Sequence, residues 1–149
     1  MTYKQRHART TRLIELSADG SQTVTNGDTI YFQNKRTTGG DSISVNNGVI
    51  SLSSSKSYFL QFAFSIERPS NTSNGIFTWY NATTNTALTK TDGAFLGEIN
   101  TTANANGSRI AVMYADKPTY DIKLVVSGMS SGNATVLGET NISIMEIDT

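Results

Sequence analysis

The chain has 149 residues, equal numbers of acidic and basic side chains, one histidine and no cysteine. That length fits a single domain able to bury its own core, and the missing cysteines exclude a disulfide framework and any thiolate metal site. No apolar run approaches the roughly 18 residues of a membrane span, so no membrane partner is expected.

The zero net charge is unevenly spread. Lys4, Arg6, Arg9 and Arg12 all precede the first acid, Glu15, and leave the rest of the chain net negative. Residues 1–10 are expected to form a basic N-terminal arm and residues 11–149 a single domain, with Arg12 adding its charge where the arm meets the first strand. Such an arm suits an acidic protein surface, where opposite potentials steer docking. Nucleic acid is not the expected partner, because no basic residues with interleaved aromatics continue onto the body. The N-terminus lacks the apolar core of a signal peptide, and the mature chain is expected to begin near Met1.

Ser, Thr and Asn supply about a third of the residues, a bias toward extended strands and tight turns over helices. In chain order, strands are expected at 11–16, 29–33, 42–45, 49–52, 57–66, 75–81, 87–90, 109–115, 120–127 and 141–147, with a weak one at 135–137. Between them, Asn26-Gly27, Asn47-Gly48, Asn74-Gly75, Asp92-Gly93 and Asn106-Gly107 supply positive-φ turn pairs. The clearest strand runs from Tyr58 to Ile66. There Tyr58, Leu60, Phe62, Phe64 and Ile66 fall on every second residue and predict one buried face. Tyr120, Ile122, Leu124 and Val126 repeat the period, as do Ile110, Val112 and Tyr114, which are read here as a second inward-facing set. Short antiparallel strands at this spacing predict an all-β, two-sheet antiparallel jelly-roll sandwich. An immunoglobulin-like sandwich is the competitor, but its cysteine pair is absent and Trp79 follows the central strand.

Catalytic chemistry is sparse. His7 lies in the arm, away from any orienting carboxylate, so a Ser-His-Asp arrangement has no base. Asp19, Asp28, Asp41, Asp92, Glu98 and Asp116 stand singly, mostly beside turns, where a short acid bonds to nearby backbone N–H groups. Nothing brings Glu98 and Asp116 together as a glycosidase pair. No local cluster resembles a calcium loop, and Gly39-Gly40 is followed by neither Lys-Ser/Thr nor a helix. The expectation is no enzyme, no cofactor and no metal. Asn71, Asn81, Asn100, Asn106, Asn133 and Asn141 open N-x-S/T triplets, but a chain this rich in Asn, Ser and Thr generates several by chance.

Aromatic side chains on both faces of strands point instead to assembly, since interface cores gather aromatics and shed charge. Phe59, Phe77, Trp79 and Met113 are the expected subunit-interface residues, and Tyr31 and Phe32 show the same two-faced pattern. The polar stretches 70–75 and 99–107 are expected to be exposed loops. With Asn71, Asn74, Tyr80, Asn81, Asn85, Asn104 and Asn106 they offer possible ligand contacts.

The succession Leu13-Ile14-Glu15-Leu16, Gly20 to Val24, Gly27 to Ile30, Asn47 to Leu52 and Lys56 to Leu60 resembles the C1q/TNF-like domains of bacteriophage structural proteins. Phe77-Thr78-Trp79-Tyr80-Asn81-Ala82-Thr83-Thr84-Asn85 is similar to their strand and turn, and Ile142 to Ile147 to their closing strand. The likeness runs from about Thr11 to Ile147 and carries no catalytic signature. It implies a ten-strand jelly roll assembling as a compact homotrimer. The leading expectation is a virion capsid decoration, or cement, protein seated on the outer capsid surface. It would bind the major capsid protein through Lys4, Arg6, His7, Arg9 and Arg12. The alternatives are a tail- or head-fibre tip that binds host surface glycan, and a secreted C1q-like recognition module.

Overall fold

The computed structural model describes residues 13–18, 20–38, 43–53, 56–67, 75–88, 96–99, 104–115 and 119–147. In chain order they form β1 (Leu13–Ser17), β2 (Gln22–Val24), β3 (Gln33–Thr38), β4 (Ile43–Asn46), β5 (Val49–Ser53), β6 (Lys56–Glu67) and β7 (Gly75–Asn81). There follow β8 (Thr86–Ala87), β9 (Leu96–Ile99), β10 (Asn104–Ala115), β11 (Thr119–Ser127), β12 (Ala134–Val136) and β13 (Asn141–Ile147). All the strand pairings are antiparallel, and they divide into two sheets.

The first sheet is organised around β6. On one edge β13 pairs with Ser57–Ala63 and β12 continues past it at Ile66 and Glu67. On the other edge β10 pairs along the whole length of β6. Beyond β13 lie β1 and then β3, and beyond β12 lies β2. In the second sheet β11 joins β5 to β7, with β4 outside β5 and with β8 and β9 sharing the far edge of β7.

The period-two pattern of β6 is realised as expected: Tyr58, Leu60, Phe62, Phe64 and Ile66 are all buried. They meet Ile14, Leu16, Ile142 and Ile144 from their own sheet, and Ile50, Leu52, Phe77, Trp79, Ile122, Leu124 and Val126 from the other. The two sheets lock through aromatic rings. Phe62 meets Phe77 edge-on, centroids 5.1 Å apart at 82°, and Phe64 lies 5.5 Å from both. Tyr58 is fully enclosed, yet its hydroxyl is satisfied. It accepts from the Ser53 N–H at 3.1 Å and donates to the Ser53 carbonyl at 3.3 Å.

Turn chemistry follows the sequence. Asn47 and Gly48, with φ of 48° and 78°, join β4 to β5 in the positive-φ pair that a two-residue hairpin demands. Asn81 accepts from the N–H groups of Thr83 and Thr84 at 2.9 and 3.1 Å, closing the β7–β8 turn in which Asn85 sits at φ 54°.

Three sequence expectations are corrected. The strand at 29–33 is not one strand: Thr29 makes a single bridge to Val125, and β3 starts at Gln33. Of the loop expected at 99–107, the described residues are strand: Ile99 ends β9, and Asn104–Gly107 pair with Phe64–Glu67 as the first part of β10. Ile110, Val112 and Tyr114 do not face the core. They are 52%, 51% and 54% exposed, whereas Met113 and Ala115 between and beyond them are buried. The cause is register: Met113 lies opposite Tyr58, an inward residue of β6, so the neighbours of Met113 must point outward.

Candidate functional site

The outward face of the first sheet can be read row by row from its register. Tyr114 lies opposite Ser57, which pairs on its other side with Ile147. Next come Val112, Phe59 and Met145, then Ile110, Gln61 and Ser143, then Ser108, Ala63 and Asn141. These outward positions on three adjacent strands carry no charged residue. Phe59 is half-buried, Met145 is 39% exposed, and with Ile110, Val112 and Tyr114 they make an apolar band crossing β10, β6 and β13. Isolated exposed apolar residues are ordinary, whereas contiguous, charge-free sets are characteristic of interaction surfaces. Burying each such side chain fully is worth about 1.5–3 kcal/mol.

Edge geometry adds to this. Among the described residues β10 pairs only with β6, so no second described strand lies along the other margin of this twelve-residue strand, beside the exposed Ile110, Val112 and Tyr114. Long apolar edges are sites of association unless something blocks them.

The expected interface residues divide. Phe59 stands in the band. Phe77, Trp79 and Met113 do not, being 1%, 3% and 1% exposed and packed in the core of a single chain. The rest of the band is Ile110, Val112, Tyr114 and Met145. From Ile110 to Ala115 both alternating sets of β10 are apolar, so this stretch alone does not say which set is inside.

The expected ligand residues do not converge either. Tyr80 is half-buried on β7, and Asn81 spends its carbonyl oxygen on the Thr83 and Thr84 N–H groups. Asn85 is exposed in the turn, and Asn104 and Asn106 belong to β10 and not to a loop. Asn71, Asn74 and the arm residues Lys4, Arg6, His7, Arg9 and Arg12 lie outside the described residues. Among the described residues no cluster of three or more His, Cys, Asp or Glu could hold a metal ion, and no helix is long and apolar enough to cross a membrane.

No family model and no curated protein matches the sequence. Solved structures do match the fold. Murine APRIL at pH 5.0 superposes with a TM-score of 0.65 at 8% identity, covering 92% of this chain and 99% of that one. Eiger TNF from S. frugiperda superposes with a TM-score of 0.58 at 9% identity, covering 94% of each chain. The chain is therefore an all-β, two-sheet antiparallel sandwich of the TNF-like jelly-roll type.

Proposed function

We propose that this chain is a non-enzymatic virion structural protein, a homotrimer that seats on the outer capsid surface as a decoration protein. The observation that carries the assembly half of the reading is the charge-free band of Val112, Phe59 and Met145, flanked by Ile110 and Tyr114, beside the margin of β10 along which no second described strand lies. An edge and a face of one chain are different surfaces. Packing the β10 edge of one copy on the β6–β13 face of the next is a heterologous contact, which closes as a ring when the rotation permits. Three copies close it in this reading.

The capsid half is supported by the resemblance to phage structural domains and by the four cationic side chains that precede Glu15. Three arms on one trimer bind together, so weak single contacts to acidic residues of the major capsid protein add up to firm attachment that weakens with salt.

Sedimentation equilibrium on the purified chain tests assembly: a trimer is expected, and a monomer at micromolar concentration overturns it. Cryo-EM of particles from the source of the sequence tests placement. Hundreds of trimers over the shell are expected, whereas a few copies at a tail or vertex replace decoration with adhesion.

A further inference from the structure

Away from the apolar band, the chain builds a small groove where it crosses from one sheet to the other. Among the described residues β2 pairs only with β12, at the end of β6 far from Phe59. Ile66 lies seven positions beyond Phe59, on the order of 20 Å along a strand. After β2 the chain turns and runs back along β11. The Gly27 N–H donates to the Val126 carbonyl at 2.7 Å, the Val126 N–H to the Asp28 carbonyl at 2.9 Å, and the Ile30 N–H to the Leu124 carbonyl at 2.9 Å. Between the two stretches lies a groove of about 330 Å³ whose lining includes Gln22, Thr23, Asp28, Thr29 and Tyr31. That is the small end of ligand-site volumes, room for a mono- or disaccharide.

Tyr31 is held there and nevertheless left open. The Gln22 side-chain amide imitates a ladder peptide: its Oε1 accepts from the Tyr31 N–H at 3.0 Å and its Nε2 donates to the Tyr31 carbonyl at 2.6 Å. The ring lies beside Gly48, where a Cβ would stand at ordinary contact distance, 3.4 Å, from Cδ1 of Tyr31. The backbone is pinned and the ring backed, but Tyr31 remains 57% exposed. A large aromatic surface kept rigid in water lowers the ordering cost of whatever stacks on it.

The surrounding polar groups are only partly used. Asp28 accepts from the Thr25 N–H through Oδ2 at 2.9 Å. Among the described residues its Oδ1 and the hydroxyls of Thr23, Thr29 and Tyr31 make no hydrogen bond. An exposed ring beside a carboxylate acceptor and several hydroxyls matches a sugar, which presents an apolar C–H face and a rim of O–H donors. Among the described residues Asp28 is the one charged residue lining the groove, so a sugar acid or phosphate meets repulsion from it.

We infer that this groove is a binding subsite for a neutral saccharide, with Tyr31 as the stacking platform and Asp28, Thr23 and Thr29 as partners for its hydroxyls. The site is separate from the assembly face and stands or falls independently of capsid decoration. The test is saturation-transfer NMR on the full chain with methyl glucoside, methyl galactoside, N-acetylglucosamine and lactose, against N-acetylneuraminic acid as the anionic comparison. At least one neutral sugar is expected to receive saturation on its ring protons and to titrate, with the anionic sugar silent. Tyr31→Ala is expected to weaken that binding about tenfold or more, and Tyr31→Phe, which keeps the ring, by less. Should Tyr31→Ala unfold, Thr23→Trp fills the groove from an exposed strand position and is expected to abolish binding in a folded chain. The inference is overturned if no neutral sugar binds, if the anionic sugar is preferred, or if binding survives either Tyr31→Ala or Thr23→Trp.

Discussion

The hydroxyl of Thr140 takes the place of a missing ladder residue for Ser65: it accepts from the Ser65 N–H at 3.0 Å and donates to the Ser65 carbonyl at 3.1 Å. Ser65 stands where β13 has ended at Ala63 and β12 takes over at Ile66, and both residues are buried. The Leu137 N–H bonds to the same Ser65 carbonyl at 2.8 Å, so the carbonyl keeps a partner without Thr140 but the N–H does not. Thr140→Val preserves shape and removes the hydroxyl, leaving a buried donor unpaired. We expect a loss of about 1–3 kcal/mol in denaturant unfolding, with Thr140→Ser retaining most of the stability.

Phe62 tests the aromatic lock between the sheets. Its ring meets Phe64 of its own strand and Phe77 of the opposite sheet at centroid distances of 5.5 and 5.1 Å. Phe62→Ala removes both contacts and leaves a cavity in a close-packed interior. The expected cost is about 3–5 kcal/mol, and a loss under about 1 kcal/mol in the same melts would place the ring outside the cooperative core.

Gly48 is constrained twice, which makes its substitution diagnostic. At φ 78° an L side chain is strained, and a Cβ there would come within 2.7 Å of the Ile30 carbonyl oxygen. Gly27, at φ 91°, carries strain but has nothing within 4 Å of its would-be Cβ. Gly27→Ala is expected to cost about 1–2 kcal/mol from the backbone alone. Gly48→Ala should cost more, and equal losses would show that the Ile30 segment gives way freely.

How much of this was legible depends on what each strand meets. The cores of β6, β11 and β13 are written in their alternation, because each has one apolar face and the position of that face fixes the register. β3, Gln-Asn-Lys-Arg-Thr-Thr, holds no apolar residue, and its extension comes from pairing with β1, a long-range fact that no local window contains. β2 is three residues long, too short for a period to declare itself. Asn104–Gly107 reads as a turn by composition, yet the ladder with Phe64–Glu67 holds it extended. The proposed assembly face was hidden for a different reason: from Ile110 to Ala115 β10 alternates two apolar sets, and only the pairing of Met113 with Tyr58 assigns one of them to water. Likewise the exposed Tyr31 and buried Phe32 are adjacent and chemically alike, and the bonds from Gln22 set their facing.

The proposed assembly face is expected to yield to a single charge. Val112 is 51% exposed in one chain and lies opposite Phe59, in the row that also holds Met145. Val112→Glu places a carboxylate in the middle of that row. In a lone chain the carboxylate is solvated and costs little, but in an assembly it is desolvated against apolar side chains without a cation, a penalty of several kcal/mol per copy. Sedimentation should therefore show the assembly dissociating to monomers while the far-ultraviolet circular dichroism keeps its β signature. Stability linked to assembly should fall at the same time and become dependent on protein concentration. Ser44→Glu, exposed on β4 of the opposite sheet, introduces the same charge away from the band and should leave the oligomer intact. Dissociation by both variants would point to net charge as the cause, and dissociation by neither would move the contact to another face.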